Sequence, residues 1–320
     1  MSKIKVVCIG GGSGLSHFVK GIKNIDYIEL KCIVTVADSG GSSGVLKEEL
    51  NIPAVGDIRN VLVALSNVPE ELETVMNYRF DTGSLMGHSL GNLVIAGILQ
   101  SSNQNIVKTL KSLSDVFNVR GSIIPSAKGV VDIKATLVDD SEVYGEKNIG
   151  VVNKEIRTIE YMMPVSATKE AVEAIDEADL LIYSIGSLYT SLIPNLIIPE
   201  IKESIRNSNA SKVYFANLMS QPGETDNYSL SEHVDAINRH LGFDGIDAII
   251  VNNQKISKKI LDRYQEKGAY PVACDYKNIN PKTKIIKYDI AKVEDNKIMH
   301  SPDKINKLFN KDLKCLFQEK

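Results

Sequence analysis

Two apolar segments near the start of the chain each run directly into a glycine-rich loop. Residues 4–9 lead into Gly10-Gly11-Gly12-Ser13-Gly14, and residues 30–37 lead into Asp38-Ser39-Gly40-Gly41-Ser42-Ser43. Apolar residues recur at helical spacing from Leu15 to Ile22, so the first loop is predicted to join a buried strand to a helix. Parallel strands end side by side at the ligand crevice of an open α/β sheet. The pattern therefore predicts a Rossmann-like core with both loops at one edge.

The chemistry of these loops suits a phosphate group, because backbone N–H groups without side-chain bulk can surround an anion. The first loop matches neither the dinucleotide fingerprint, since Leu15 stands where its last glycine belongs, nor a Walker A loop. Asp38 follows the second strand, where a dinucleotide fold places its ribose-binding acid. We predict a nucleotide or phosphate cradle; the alternative is a pair of tight turns that need glycine for a positive φ.

Apolar strands alternate with amphipathic helices at both ends of the chain. Strands are predicted near residues 4–10, 30–37, 179–185, 211–217 and 246–252, and later helices near 167–177, 196–207, 229–241 and 256–267. A further apolar helix face near the C-terminus contains Ile305, Leu308, Phe309, Leu313 and Leu316. This alternation predicts an α/β fold with a mostly parallel sheet and helices on both faces.

The middle of the chain has a different pattern. Helices are predicted near residues 57–66, 69–79, 90–100 and 104–117. Residues 120–160 contain strands and turn signals, and Val131, Ile133, Ala135 and Leu137 alternate as in a half-buried antiparallel hairpin. We expect this segment to extend the same domain, so that residues 1–320 form one nucleotide-binding α/β domain without a linker or repeat.

Composition excludes several classes of function. The net charge of −3 provides no basic face for nucleic acid, and the chain has no tryptophan and only 6% aromatic residues for stacking on bases. No apolar run reaches the ~18 residues of a membrane span. The four cysteines are scattered without metal or disulfide spacing, and the N-terminus leads directly into a strand. We therefore expect a cytoplasmic protein that binds neither nucleic acid nor membrane.

The segment Gly56-Asp57-Ile58-Arg59-Asn60 opens a predicted helix. Asp57 is interpreted either as the N-cap of that helix or as a ligand-binding acid. An arginine such as Arg59 opposes the helix dipole at this position, and a bound anion nearby would explain both Arg59 and Asn60. Asp38 and Asp57 together could hold Mg²⁺ that is also bound by substrate phosphates. In an enzyme, Asp38, Asp57 and Arg59 would be the catalytic residues.

The segment Gly87-His88-Ser89-Leu90-Gly91-Asn92 fits the G-x-S-x-G pattern of a nucleophile elbow. Because a polar loop and not an apolar strand precedes it, we predict that Ser89 caps a helix and is not a nucleophile. His88, Ser89 and Asn92 are predicted ligand contacts at that helix entrance. His233 and His240 lie seven residues apart on a later predicted helix and are expected on its solvated face.

Two more polar loops follow predicted strands. One contains Gly186, Ser187, Tyr189 and Thr190 and continues to Asn195, and the other contains Asn217 and Gln221. Their hydroxyl and amide groups suit contacts with a phosphate, a sugar or a base edge, and the alternative is a plain turn between strand and helix. We predict that these residues complete the site that the first two loops begin.

Taken in order, six segments of the chain resemble one family. They are GGGSGL (10–15), VTVADSGGSSG (34–44), PAVGDIRNVLVALS (53–66), GHSLGNL (87–93), GSLYTSLIPN (186–195) and NLMSQPGETDNY (217–228). The chain is similar to the CofD/YvcK group of gluconeogenesis factor and 2-phospho-L-lactate transferase-like proteins, and is closer to the YvcK branch. The resemblance implies a Rossmann-like core, a homodimer, and a nucleotide-sugar such as UDP-N-acetylglucosamine in the crevice.

The two branches of the family imply different functions. The YvcK branch implies a regulator of central carbon metabolism and of cell-wall synthesis and cell shape. The CofD branch implies transfer of a phospholactyl group from a nucleotide donor to a deazaflavin alcohol with Mg²⁺. The chain departs from the family pattern at Ser39, where Asp or Asn is more common, at Ser184-Ile185, and at Met299, where relatives often have Arg before the histidine.

Overall fold

The computed structural model describes residues 2–312 of the chain. Its strands are β1 Ile4–Gly10, β2 Ile28–Val34, β3 Ser122–Pro125, β4 Ile133–Leu137, β5 Glu142–Tyr144, β6 Ile156–Tyr161, β7 Leu180–Tyr183, β8 Ser211–Phe215, β9 Ala248–Asn252, β10 Lys284–Tyr288, β11 Ala291–Glu294 and β12 Lys297–His300. Its α-helices are α1 Gly12–Ile22, α2 Gly41–Leu50, α3 Gly56–Leu65, α4 Glu70–Asn77, α5 Leu90–Ser101, α6 Ile106–Val116, α7 Glu146–Ile149, α8 Lys169–Asp176, α9 Ile193–Leu196, α10 Pro199–Asn207, α11 Leu230–Leu241, α12 Lys258–Gln265 and α13 Pro302–Asp312. A π-helical turn at Leu188–Leu192 precedes α9, and a short 3-10 turn lies at Tyr276–Asn278.

Seven strands form one sheet in the order β10-β9-β8-β7-β1-β2-β3, and every neighbouring pair is parallel. The chain builds outward from β1 through β2 to β3, then returns to the other side of β1 with β7. The boundary between β1 and β7 is therefore the topological switch point, where open α/β sheets bind ligands. The Rossmann-like prediction is confirmed.

The core explains why the strands are almost continuously apolar. β1 and β7 carry buried side chains from both faces, since helices cover the sheet on each side. From α1, the ring of Phe18 packs edge to face on Phe215 of β8, with centroids 4.7 Å apart, and on Phe309 of α13. Edge-to-face packing of this kind holds α1, and with it the first glycine loop, against the ends of the central strands.

The antiparallel extension is present, but it is smaller than the predicted segment. β5, β4 and β6 form a separate three-stranded antiparallel sheet, whereas β3, at the start of that segment, joins the main parallel sheet beside β2. The sequence analysis did not predict α2, β10 or the β11–β12 hairpin. Leu313 and Leu316 of the expected C-terminal apolar face lie outside the described residues.

The prediction that His233 and His240 lie on a solvated helix face is wrong. His233 is fully buried and His240 nearly so. The ring of His240 accepts a hydrogen bond at Nε2 from the backbone N–H of Ile159 and contacts the Ala236 carbonyl oxygen through Nδ1. Burial lowers the pKa of His240 to about 4, so the ring is neutral and serves to join α11 to β6.

Between residues 2 and 312, no helix is both long and apolar enough to cross a membrane.

Candidate functional site

A cleft of about 600 Å³ lies at the switch point of the sheet, a size typical of a small-molecule site. Its walls come from the loops after β1, β7 and β8, from α12, and from the β11–β12 hairpin. The lining residues are Ser13, Gly14, His17, Ile185, Gly186, Ser187, Asn217, Leu218, Met219, Gln221, Tyr264, Lys297, Ile298, Met299 and His300. Six predicted site residues therefore line the cleft: Ser13, Gly14, Gly186, Ser187, Asn217 and Gln221.

The first loop requires glycine because other parts of the protein approach its backbone closely. A Cβ at Gly14 would lie 2.1 Å from the carbonyl oxygen of Ile185, and one at Gly11 would lie 2.3 Å from Oδ2 of Asp57. Gly10 ends β1, and Gly12 has a φ of +61° where α1 begins. The amino end of α1 is thereby pressed against the loop after β7, and Ser13 and Gly14 of its first turn line the cleft.

Glu224 organises the loop after β7, although the sequence analysis did not single it out. Its side chain is 2% exposed. Oε1 accepts hydrogen bonds from the hydroxyl of Ser187, the backbone N–H of Tyr189 at 2.6 Å and that of Thr190 at 3.2 Å. Oε2 has no partner among residues 2–312. Burial raises the pKa of this carboxyl above its usual range, and the three donors act against that rise.

Three predicted site residues are used inside the protein. Asn195 is fully buried and donates to the carbonyl oxygen of Gly10 at 3.1 Å, which ties α9 to the end of β1. The hydroxyl of Tyr189, also fully buried, bonds to Tyr228 and to the carbonyl oxygen of Ile156. The side chains of Asn195 and Tyr189, together with the backbone N–H of Thr190 that bonds to Glu224, hold the walls of the cleft in place from within the protein.

Asn217 lines the cleft, yet its amide also has internal partners. Nδ2 donates to the carbonyl oxygen of Gly186 at 2.8 Å, and Oδ1 accepts from the hydroxyl of Tyr214. Gln221 also lines the cleft. Asn217 thus fixes the position of Gly186, whose φ of +146° favours glycine.

Three carboxylates gather behind the first loop: Asp38, Asp57 and Glu146. Burial and then the charge of Asp38 raise the pKa of Asp57 to about 8, although the backbone N–H of Gly12 donates to its carboxylate. The same two causes, in the same order, raise the pKa of Glu146 to about 7. Glu146 accepts a hydrogen bond from the N–H of Ser39, so α7 of the antiparallel extension reaches this cluster. The sequence analysis missed Glu146.

The second glycine loop holds its own shape around Asp38. Oδ1 of Asp38 accepts the N–H of Gly40 at 2.8 Å, and the hydroxyl of Ser39 accepts the N–H of Lys147. Gly41 then starts α2 with a φ of +46°. The predicted loop residues therefore lie next to the carboxylate cluster and not in the cleft.

Asp57 is not the N-cap of its helix, because Val55 occupies that position and Asp57 lies in the first turn. Within the described part of the chain, no group of three or more His, Cys, Asp and Glu side chains has the geometry to hold a metal ion. Asp38 and Asp57 are hard oxygen donors that suit Mg²⁺, and phosphate and water oxygens would have to complete its octahedral shell. The donor set fits the ion only when a phosphorylated ligand is present.

The position of Arg59 has an internal explanation. Its two terminal nitrogens donate to Oδ1 of Asn77 at 2.7 Å and to Oδ1 of Asn60 at 2.8 Å. Burial and then the charge of Arg79 lower the pKa of the guanidinium, and the charges of Asp57 and Asp38 act against that lowering. Only Nε of Arg59 has no partner among residues 2–312. Asn60 is thus a support for Arg59.

His88 and Asn92 converge on Ser42 at the start of α2. The Ser42 hydroxyl lies 3.0 Å from Nδ1 of His88 and accepts from Nδ2 of Asn92 at 3.1 Å. Ser89 is fully buried and accepts the N–H of Asn92, which confirms it as the N-cap of α5. Ser43 accepts the N–H groups of Val55 and Gly56 and so joins α2 to α3.

Comparison with known proteins agrees with this architecture. The family model described as 2-phospho-L-lactate transferase CofD matches residues 6–291. The chain belongs to the CofD family. It is 39% identical over 310 residues to the gluconeogenesis factor of Bacillus subtilis, across 96% of this chain and 97% of that protein. It is 42% identical over 276 residues to a putative gluconeogenesis factor of Thermotoga maritima, across 86% of this chain and 87% of that one.

A solved structure extends the match to the fold. A crystal structure of a Bacillus halodurans protein superposes with a TM-score of 0.93 at 38% identity, covering 97% of this chain and 100% of that one. The resemblance inferred from six short motifs is therefore confirmed over almost the whole chain. Within the CofD family, this protein is similar to relatives that are named gluconeogenesis factor or putative gluconeogenesis factor.

Proposed function

We propose that this protein binds a nucleotide-sugar similar to UDP-N-acetylglucosamine in the cleft at the switch point. It would act in the cytoplasm as a homodimeric regulator of the gluconeogenesis factor type, linked to central carbon metabolism and to cell-wall and cell-shape control. The observation that carries the proposal is the position of the α1 amino end on the cleft. There, the glycine loop and the first turn of α1 favour a phosphate, and Ser13 and Gly14 of that turn line the cleft.

The test is isothermal calorimetry with UDP-N-acetylglucosamine, comparing Ser13→Glu with Ser13→Gln. Ser13 is exposed in the first turn of α1, where an acidic residue suits the helix dipole, so both variants should fold. The added charge of the glutamate should repel the ligand phosphates and weaken binding by about tenfold or more, roughly 1.4 kcal/mol. The glutamine variant has the same size without the charge and should bind nearly as the parent does.

Two results would contradict the proposal. One is the absence of heat with UDP-N-acetylglucosamine and with any uridine or guanosine nucleotide. The other is equal affinity in Ser13→Glu and the parent, since the phosphates would then lie elsewhere. Native mass spectrometry of the purified protein offers an independent check, because a retained nucleotide-sugar adds a defined mass. The regulatory role predicts impaired growth on gluconeogenic carbon sources when the gene is deleted.

A second candidate function is a transferase similar to 2-phospho-L-lactate transferase, which uses a nucleotide donor and Mg²⁺. The observation that favours it is the carboxylate cluster next to Gly12. Asp38 and Asp57 would hold the ion together with donor phosphates, and the ion would neutralise developing charge on the transferred phosphoryl group. The charge of Arg59 acts to lower the pKa of Asp57 and would favour its ionised form when a donor is bound.

The transferase is tested by incubation with a nucleotide donor, Mg²⁺ and a deazaflavin alcohol. Turnover that falls at least about a hundredfold in Asp57→Asn, while nucleotide binding in the cleft is retained, would support it. Folded protein that binds the nucleotide without any turnover would leave the regulator as the function.

A further inference from the structure

A second, smaller cavity opens beside the cleft at the carboxyl ends of β8 and β9. We call it the side cavity, and its volume is about 180 Å³. Asn217 and Leu218 line both the side cavity and the cleft, so the two are adjacent. Because neighbouring strands lie about 4.8 Å apart, the side cavity is roughly 10–14 Å from the end of β1, where α1 begins. A ligand anchored at α1 would cross the cleft to reach it.

The walls of the side cavity are mainly aliphatic. They include Leu218, Leu230, Val251, Ile256, Leu261 and Val272. Leu230 is fully buried and Val251 is 1% exposed, so the part of the wall that they form belongs to the packed core, whereas the other four side chains are half-buried. Such a surface gains free energy by covering an apolar or flat aromatic face, and gains nothing from sugar hydroxyls, which would lose water there.

The amide side chains at the rim are already paired within the protein. Oδ1 of Asn252 accepts backbone N–H groups of Gln254, Ile290 and Ala291, and its Nδ2 donates to the carbonyl oxygen of Gln254. Oε1 of Gln254 accepts from Lys304. Asn217 is occupied by Gly186 and Tyr214, as described above. The amides of Asn217 and Asn252 are therefore committed to holding the walls and are not free to bind a sugar.

The cleft has the opposite character. It is lined by the hydroxyl of Ser13, the amide of Gln221 and the cation of Lys297 on the β11–β12 hairpin. Phosphate and sugar hydroxyls need such partners, because polar groups buried without hydrogen bonds are costly. The cleft therefore suits the polar part of a ligand, and the adjacent side cavity suits a flat, less polar part of the same ligand.

Building on the nucleotide-sugar proposal, we propose that the side cavity receives the nucleobase while the phosphates lie at α1 and the sugar lies in the cleft. An aliphatic cavity of about 150 Å³ accepts one benzene ring, so this cavity suits a single pyrimidine ring better than a purine. The aliphatic walls contact both faces of the ring, and the base edge points to the open rim.

Cys274 provides a built-in reporter of occupancy. Its thiol lines the side cavity and is exposed, whereas Cys8 and Cys32 are buried in the sheet. Cys315 lies outside the described residues, so the experiment uses a Cys315→Ser background. Alkylation of Cys274 by iodoacetamide is then followed by mass spectrometry. With ligand at ten times its Kd, about one site in eleven is free, and the rate should fall about tenfold.

The choice of ligands decides which part of the molecule fills the side cavity. UDP and UDP-N-acetylglucosamine should protect Cys274, whereas N-acetylglucosamine 1-phosphate and pyrophosphate should not protect it at the same saturation. Protection by N-acetylglucosamine 1-phosphate would place the sugar in the side cavity and overturn the inference. Unchanged alkylation despite calorimetric binding of UDP-N-acetylglucosamine would also overturn it and leave the proposed function standing. The absence of binding to any nucleotide would instead refute the proposed function itself.

A matched pair of variants gives a second test. Leu261 lines the side cavity but not the cleft and is only partly buried, so it tolerates change. Leu261→Phe should fill the cavity and weaken UDP-N-acetylglucosamine binding about tenfold, whereas Leu261→Met conserves volume and should bind as the parent does. Binding of N-acetylglucosamine 1-phosphate should be equal in both. Unchanged UDP-N-acetylglucosamine affinity in Leu261→Phe, or an equal loss for both ligands, would refute the placement of the base.

Discussion

Replacing Asp57 by asparagine should change how the stability of the protein depends on pH. In the folded protein, burial and the charge of Asp38 raise the pKa of Asp57 from 3.8 to about 8. The unfolded chain releases this proton above pH 3.8, whereas the native state keeps it until about pH 8. The native state thus binds more protons across this range, so the contribution of Asp57 to stability is greatest at low pH and decreases as pH rises towards 8.

The magnitude follows from the width of that range. One pKa unit corresponds to about 1.4 kcal/mol, so two pH units between pH 5 and pH 7 could remove up to roughly 2.7 kcal/mol. Because Asp57 is partly exposed and interacts with Asp38 and Glu146, we expect about 1–2.5 kcal/mol of this to be realised. Asparagine cannot ionise and still accepts the Gly12 N–H. Asp57→Asn should therefore be more stable than the parent at pH 7, and this difference in unfolding free energy should be smaller at pH 5.

The measurement is urea unfolding at pH 5, 6, 7 and 8, followed by circular dichroism. The control is Asp26→Asn, which removes the same charge from an exposed position. The difference in unfolding free energy between Asp57→Asn and the parent should grow with pH, while that of Asp26→Asn should stay nearly constant. Parallel stability curves for all three proteins would show that Asp57 is not enclosed as described and would refute the reasoning.

Other predictions rest on packing and hydrogen bonding. Gly14→Ala should destabilise the protein by about 2 kcal/mol or more, because its Cβ meets the carbonyl of Ile185, whereas Gly97→Ala in open space on α5 should stabilise it by about 0.5–1 kcal/mol; thermal unfolding compares the two. Ser89→Ala should cost about 0.5–2 kcal/mol as a lost helix cap, and stoichiometric labelling of Ser89 by a fluorophosphonate would disprove that role. Lys47→Met should cost about 1–3 kcal/mol in urea unfolding by leaving a buried carbonyl unpaired, and an unchanged midpoint would contradict it.

Sequence reasoning succeeded where the fold and a helix cap depend on local patterns. The strand and glycine loop at residues 4–14 form β1 and the start of α1, and the polar approach to Ser89 correctly indicated a cap. Both features are set by residues within one turn of each other, so spacing alone is informative. Strand alternation likewise predicted the parallel sheet, because each βαβ unit crosses over in a fixed way.

The rest of the candidate site depends on contacts between distant segments. Glu146 bonds to Ser39 over 107 residues, and Glu224 bonds to Tyr189 over 35 residues, so neither has a local pattern that marks it. His240 was misjudged for the same reason, since β6 that buries it comes from another part of the chain. Burial of a single polar side chain is a property of tertiary packing, and the sequence next to it carries little information about it.

The hydrogen bonds of Glu224 have a consequence for the thermodynamics of binding. One oxygen of this residue, in the loop after β8, gathers three donors from the loop after β7, and Asn217 adds a fourth bond between the same two loops. Two walls of the cleft therefore form a single rigid unit before any ligand arrives. Because the conformational entropy of these loops is already lost when the chain folds, a ligand that enters the cleft does not have to order them. Affinity here would reflect mainly the contacts made and the water released.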